Sequence, residues 1–180
     1  LISKTKFKNI FYYDNIDPVF FKNSIDQLKL KDTIFIVISK SGSTPETLGQ
    51  LGAVLKKFRN LKLNSKISKH FIFITENKQS PLKNIADQFN ITHLIYDMNI
   101  GGRFSAFSNV ALLPAFIAGI DIDDFINGAK KTLNSLMKSN NFLPLKGAAL
   151  SIVLHKVYNI NINIFFTYAD CLKYFGKWYQ

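Results

Sequence analysis

The chain has 180 residues, 47% of them hydrophobic and 14% aromatic, enough apolar side chain to bury a core as one domain and too much for a disordered chain. Its single cysteine, Cys171, excludes an internal disulfide framework and suits a reducing compartment, and its apolar helical surroundings favour packing over chemistry. The formal charge of +11 comes from lysines dispersed among asparagine and isoleucine along the whole chain. That is a composition bias carried on solvated faces, not a nucleic-acid groove, and its use is the salt-sensitive capture of small anions.

In chain order, the pattern predicts a short strand over Ile10–Tyr13, a helix over Pro18–Leu28, a strand over Thr33–Ile38 and a helix over Pro45–Phe58. A strand over His70–Thr75, a helix over Pro81–Phe89 and a strand over Thr92–Tyr96 follow. Continuous apolar strands separated by helices imply an α/β fold with a parallel sheet covered on both faces and ligands at the carboxyl ends of its strands.

The second half reads as mostly helical. Asn109 is placed to cap a helix over Val110–Gly119, and Asp121 to cap one with Ile122, Phe125, Ile126, Ala129, Leu133 and Leu136 inward. The apolar run from Ala106 to Ile120 is too short for a membrane span and carries Pro114, so it reads as a buried helix. A strand over Asn161–Thr167 and a helix over Tyr168–Gln180 close the series. Residues 128–147 hold the nearest thing to a loose joint, around Ser139, Asn140 and Asn141. His70, His93 and His155 lack metal-site spacing, and neither a metal nor a cofactor is implied. No signal peptide is visible.

The most informative stretch is Ser39-Lys40-Ser41-Gly42-Ser43-Thr44-Pro45-Glu46, which carries a strand into a helix N-terminus. Unpaired backbone N–H groups and the positive end of the helix dipole favour an anion there, the hydroxyls of Ser39, Ser41, Ser43 and Thr44 can donate to its oxygens, and Lys40 adds charge. Capping by Ser43 or Thr44, with Ser43 and Glu46 at capping-box spacing, accounts for one hydroxyl or two but not for four with a glycine among them. The pattern is neither a Walker A loop nor a G-x-G-x-x-G turn, so a nucleoside triphosphate is unsupported.

This segment resembles the phosphate loop of the glucose-6-phosphate isomerase family, within the sugar isomerase (SIS) fold group. Downstream, Ile100-Gly101-Gly102-Arg103-Phe104-Ser105 is similar to the family's Gly-Gly-Arg-Phe/Tyr-Ser signature, and weaker similarity runs through Leu143–Ala149 and Asn161–Tyr179. The first motif identifies the fold group and the second narrows it. The resemblance implies a three-layer αβα SIS-type fold with a mainly parallel sheet. Residues 1–127 would form most of one SIS domain, and 128–180 a helical connection and the start of the next αβ unit. It further implies a cytoplasmic homodimer that interconverts glucose 6-phosphate and fructose 6-phosphate through a cis-enediolate, with no nucleic-acid or membrane partner.

The resemblance assigns Ser39, Lys40, Ser41, Ser43 and Thr44 to the substrate phosphate, with Gly42 and Gly102 as supports that let backbone approach closely. Arg103 is the candidate catalytic residue, because a guanidinium stays protonated and donates in a planar fork to the enediolate charge. Glu46 either orients Arg103 or a water, or only complements the helix dipole. Since the chain begins at Leu1 within a Lys-rich stretch, an internal piece of a longer protein is expected. The family's Gly-Ile-Gly-Gly-Ser stretch would precede it, and the Gln-x-x-x-Glu-Ser-x-Gly-Lys stretch with the catalytic base would begin near Gln180, which is given no role. The alternatives are a non-catalytic SIS module that senses a sugar phosphate, for which Arg103 in its glycine context has no need, and another sugar-phosphate isomerase.

Overall fold

The computed structural model describes residues 10–138 and 142–179. They divide into two compact units at Asp121. The joint expected around Ser139, Asn140 and Asn141, and the terminal Gln180, lie outside the described residues.

The unit ending at Ile120 contains helices α1 (Pro18–Gln27), α2 (Pro45–Asn60), α3 (Ile67–His70), α4 (Pro81–Phe89) and α5 (Asn109–Ile117), and strands β1 (Phe35–Ile38), β2 (Phe71–Thr75) and β3 (Thr92–Ile95). The strands form one parallel sheet in the order β1-β2-β3, with Phe35 opposite Phe71 and Ile72 opposite Thr92. This is the α/β architecture expected: a parallel sheet flanked by helices. Strand alternation sends Phe35, Val37, Phe71 and Phe73 to one face. There they pack with Ile25 of α1, Leu51, Val54 and Phe58 of α2, and Leu82 and Ala86 of α4. Phe58, Phe73 and Leu82 have no solvent exposure at all, which places each near the full burial value of about 1.5–3 kcal/mol.

Local chemistry sets the boundaries. Asp17 caps α1 by accepting the Phe20 N–H at 2.7 Å, and Ser80 caps α4 by accepting that of Lys83 at 3.3 Å. Asn90 ends α4 in the left-handed region at φ 51°, where asparagine is tolerated. β1 starts at Phe35 instead of Thr33, because Thr33 closes a 3-10 turn with its N–H and hydroxyl on the carbonyls of Leu30 and Lys29. The strand expected over Ile10–Tyr13 does not form: these residues pair with no strand among the described residues. Tyr13 instead bonds Ser24 at 2.7 Å and sets its ring edge-on to Phe21, so the segment is held on α1 by side chains. The cap of α5 is Ser108, whose Oγ accepts the Val110 N–H, while Asn109 is the first helical residue.

The unit from Asp121 contains α6 (Ile122–Lys138), α7 (Leu143–Tyr158), a 3-10 turn at Asp170–Leu172 and α8 (Lys173–Tyr179). Asp121 caps α6 as expected, accepting the Asp124 N–H at 3.0 Å. Three expectations fail here for a common reason: among the described residues of the unit no facing layer covers these elements. Asn161–Thr167 pairs with no strand among the described residues. Of the α6 residues expected inward, Phe125, Leu133 and Leu136 are exposed and only Ile122, Ile126 and Ala129 are half-buried. Cys171 is exposed in the 3-10 turn and not packed, and helix resumes only at Lys173. No helix among the described residues is long and apolar enough to cross a membrane.

Candidate active site

Residues 39–44 leave the carboxyl end of β1 and turn across the end of β2 before α2 begins. Backbone bonds hold the turn at several points: Ser39 N–H to Ile74 O at 3.0 Å, Glu76 N–H to Lys40 O at 3.1 Å and Leu82 N–H to Gly42 O at 2.9 Å. Gly42 sits at φ +68°, and a Cβ there would lie 2.2 Å from Ser80 Oγ and 2.8 Å from Thr75 Oγ1. Only glycine satisfies both the conformation and the approach. The turn therefore rests on the end of the middle strand and on the cap of α4.

The four hydroxyls form two pairs. Ser39, buried, shares a hydrogen bond with Thr44 across 2.8 Å, and its Oγ accepts the Gly42 N–H at 3.1 Å. Ser41 Oγ accepts from the Ser43 N–H at 3.2 Å and from the Ser43 hydroxyl at 3.1 Å. Thr44 occupies the N-cap position of α2 yet makes no capping bond, its hydroxyl being turned to Ser39. The helix thus opens without the side-chain acceptor that a structural cap would supply. Glu46 is exposed in the first turn of α2.

Lys40 carries the positive charge of the turn across to the segment after β3. Its ammonium donates to the carbonyls of Met98 at 3.0 Å and Ile100 at 2.8 Å, lies 3.9 Å from Glu76 Oε1, and stands over the Tyr96 ring, 5.6 Å from its centroid. Glu76, buried at the end of β2, also pairs with Lys78. Ile100 leads directly into Gly101, which is extended at φ −67° and ψ 149°, and then into a 3-10 turn over Gly102–Phe107. Ser105, buried, donates to Gly102 O at 2.7 Å, and Ser108 donates to Ser105 O at 2.8 Å, which hold that turn from its far end. Arg103 is exposed at its start. A Cβ on Gly102 would meet nothing within 4 Å, so the chain's own conformation does not require glycine there.

The structure thus gathers Ser39, Lys40, Ser41, Gly42, Ser43 and Thr44 into one turn, and Lys40 joins that turn to the stretch that leads to Gly102 and Arg103. Both segments leave the carboxyl end of the same sheet, after β1 and after β3. Sequence reading misses Thr75, Glu76 and Tyr96, which lie between the two motifs; the available signal is their place at the ends of β2 and β3, where sheets of this kind build sites. The buried Tyr96 hydroxyl has no hydrogen-bond partner. Among the described residues no group of three or more His, Cys, Asp or Glu is placed to hold a metal ion.

Comparison with known proteins agrees in sequence and in shape. The family model described as phosphoglucose isomerase matches residues 1–180. The glucose-6-phosphate isomerase of Carboxydothermus hydrogenoformans is 34% identical over 167 residues, 92% of this chain and 36% of the relative. That of Methanocaldococcus jannaschii is 34% identical over 178 residues, 96% of this chain and 42% of the relative. Among solved structures, a hypothetical protein from Thermus thermophilus superposes with a TM-score of 0.83 at 32% identity, over 94% of this chain and 40% of that one. A glucose-6-phosphate isomerase from Chlamydia trachomatis gives 0.66 at 28% identity, over 78% of this chain and 27% of that one. The chain spans about two fifths of the length of the curated relatives it matches. With the family model matched from Leu1 to Gln180 and two solved structures sharing its architecture, the chain belongs to the phosphoglucose isomerase family.

Proposed function

We propose that a protein of the relatives' full length carrying these residues is an aldose-ketose isomerase that interconverts glucose 6-phosphate and fructose 6-phosphate. The observation that supports this best is the pairing of a hydroxyl-lined turn at an uncapped helix N-terminus with a Gly-Gly-Arg segment at the same end of the sheet. One suits a phosphate, the other an anion that develops at the far end of the same molecule.

In this reading Ser39, Ser41, Ser43 and Thr44 exchange their mutual hydrogen bonds for phosphate oxygens, Gly42 keeps the turn close to α4, and the charge of Lys40 favours the dianion. Moving the C2 proton to C1 leaves negative charge on the enediolate oxygens, and Arg103 donates to them. Gly102 leaves room for the sugar beside that side chain, and Glu46 supports the site from the first turn of α2. The proton-abstracting carboxylate is assigned to the family's Glu-Ser-x-Gly-Lys stretch, which is not among these 180 residues, so the 180-residue chain alone is expected to be inactive. We also assign residues 1–127 to one SIS domain and 128–180 to the start of a second, in a cytoplasmic homodimer active in glycolysis and gluconeogenesis.

The test is Arg103→Ala in the full-length protein. A group that stabilises the enediolate contributes more as charge develops, so kcat should fall by about a hundredfold or more while substrate affinity changes little. Lysine should restore only part of the loss, since a point charge on a flexible stem does not reproduce the guanidinium fork. An unchanged kcat removes Arg103 from the chemistry and leaves it a ground-state binding or structural residue, while a full-length wild-type protein that binds the sugar phosphate without turning it over favours the sensor.

A further inference from the structure

We infer that Lys40 is a positioning residue, whose side chain fixes the distance between the phosphate turn and the Arg103 segment. The inference rests on the function proposed above and adds a role to a residue that the motif assigns to the substrate phosphate.

An ammonium has three N–H donors and no acceptor. In Lys40 two of them are directed to the carbonyls of Met98 and Ile100, at 3.0 and 2.8 Å, and the group is flanked by Glu76 Oε1 at 3.9 Å and by the face of Tyr96. Its charge is thus met from several sides by protein, with Glu76 buried to 7% exposure beneath it. The main chain of the same residue is fixed separately, its carbonyl accepting from the Glu76 N–H at 3.1 Å and the Thr75 hydroxyl at 3.2 Å. One residue is therefore anchored to the end of β2 through its backbone and to the segment after β3 through its side chain.

The place of attachment matters. Ile100 is followed by two glycines and then by Arg103, and a Gly-Gly pair has more conformational freedom than any other dipeptide. Upstream, the segment is a turn tied by Asp97, whose Oδ1 accepts from the Asn99 N–H at 2.9 Å and whose carbonyl accepts from the Ile100 N–H at 3.1 Å. Downstream, Ser105 and Ser108 hold the 3-10 turn. Lys40 supplies the restraint at the root of the glycine pair. A sugar phosphate that is bound at both ends needs those ends at a set separation, and displacement of a reacting group by about 1 Å can cost a hundredfold in rate. The phosphate turn itself keeps its own bonds through Ser39, Lys40 O and Gly42 O, none of which uses the ammonium.

The experiment compares Lys40→Met, which keeps the stem and removes the donors, with Lys40→Arg, in the full-length protein. Lys40→Met should lower kcat by roughly ten- to a hundredfold, with only a fewfold rise in KM and in the inhibition constant of inorganic phosphate from the lost charge, and Lys40→Arg should recover part of the loss. In the Arg103→Ala background the same Lys40→Met change should cost little more, because both act through one group. Backbone amide spectra give a readout that needs no turnover: in Lys40→Met the signals of Gly101 and Gly102 should shift or broaden while Gly42 and Thr44 hold. If Lys40→Met does not fold, Lys40→Arg is read in the same spectra, with smaller shifts at the same glycines. A loss of phosphate affinity as large as the loss of kcat makes the ammonium a phosphate ligand and overturns the inference. So do unmoved Gly101 and Gly102 signals, or an undiminished effect in the Arg103→Ala background. An inactive wild-type protein whose glycine signals still respond to Lys40→Met overturns the proposed function and leaves the tether standing.

Discussion

Residues 10–120 and residues 121–179 are both rich in apolar side chains but dispose of them differently. In the first unit Phe58, Phe73, Ile74 and Leu82 are wholly buried in or beside a three-stranded sheet, whereas in the second Leu143, Ile162 and Tyr168 are 79%, 73% and 95% exposed. Among the described residues of the second unit only Gly176 is buried, against the side chains of Thr167 and Phe165. Periodicity shows which face of an element is apolar; it does not show whether a second layer exists to cover that face. Strands β1 and β3 both pair with β2, while 161–167 has the composition of a strand and no strand partner among the described residues.

The sharpest way to break this contrast is a pair of truncations. Phe73→Ala empties a fully buried position and should cost about 3–5 kcal/mol of unfolding free energy in a denaturant titration, while Leu150→Ala, 58% exposed on α7, should stay within about 0.5 kcal/mol. Equal costs would mean that α7 is packed as firmly as β2.

Gly42→Ala probes the same well-packed unit at the site. It forces a side chain into a left-handed conformation and against Ser80 and Thr75, so a loss of about 2–4 kcal/mol is expected in the same titration. A neutral result would show that the turn stands further from α4 than its hydrogen bond to Leu82 implies.

A smaller effect comes from the surface between α1 and α2. The Asp26 carboxyl is held below its ordinary value of 3.8, first by the hydrogen bond from Lys57 and then by that from Lys22. A carboxylate stabilised in the folded state contributes above its unfolded pKa and loses that contribution as the pH falls through the lowered folded value. Asp26→Asn should therefore slightly flatten the acid limb of the stability profile and leave the shape above neutrality unchanged, with the difference shrinking in salt because the pair is exposed.

Much of the first unit is legible in the sequence because its signals are local. Pro18, Pro45 and Pro81 each stand at a helix start, and unbroken β-branched and aromatic runs mark β1 and β2. The two motifs are legible for the same reason, since each is a short contiguous stretch. What lies between them is not. Lys40 bonds to carbonyls 58 and 60 residues away, and backbone carbonyls leave no mark in a sequence. The need for Gly42 likewise comes from Ser80, which is near only after the sheet has formed. Cys171 departs from expectation because an apolar neighbourhood in sequence is not one in space.

The central claim is that the turn at 39–44 binds the anionic end of a sugar phosphate, and calorimetric titration of the full-length protein carrying Ser39→Ala and Thr44→Ala tests it most directly. The two hydroxyls are paired with each other at 2.8 Å, and the Gly42 N–H keeps the Ser39 carbonyl at 3.2 Å, so their joint removal strands no partner within the turn and isolates what they do for a ligand. Hydrogen bonds to a charged acceptor contribute on the order of 1.5–3 kcal/mol each, so affinity for glucose 6-phosphate should fall by more than about tenfold, while unphosphorylated glucose remains an equally poor ligand. Unchanged affinity for glucose 6-phosphate, with the circular dichroism spectrum of the wild type retained, would contradict the claim.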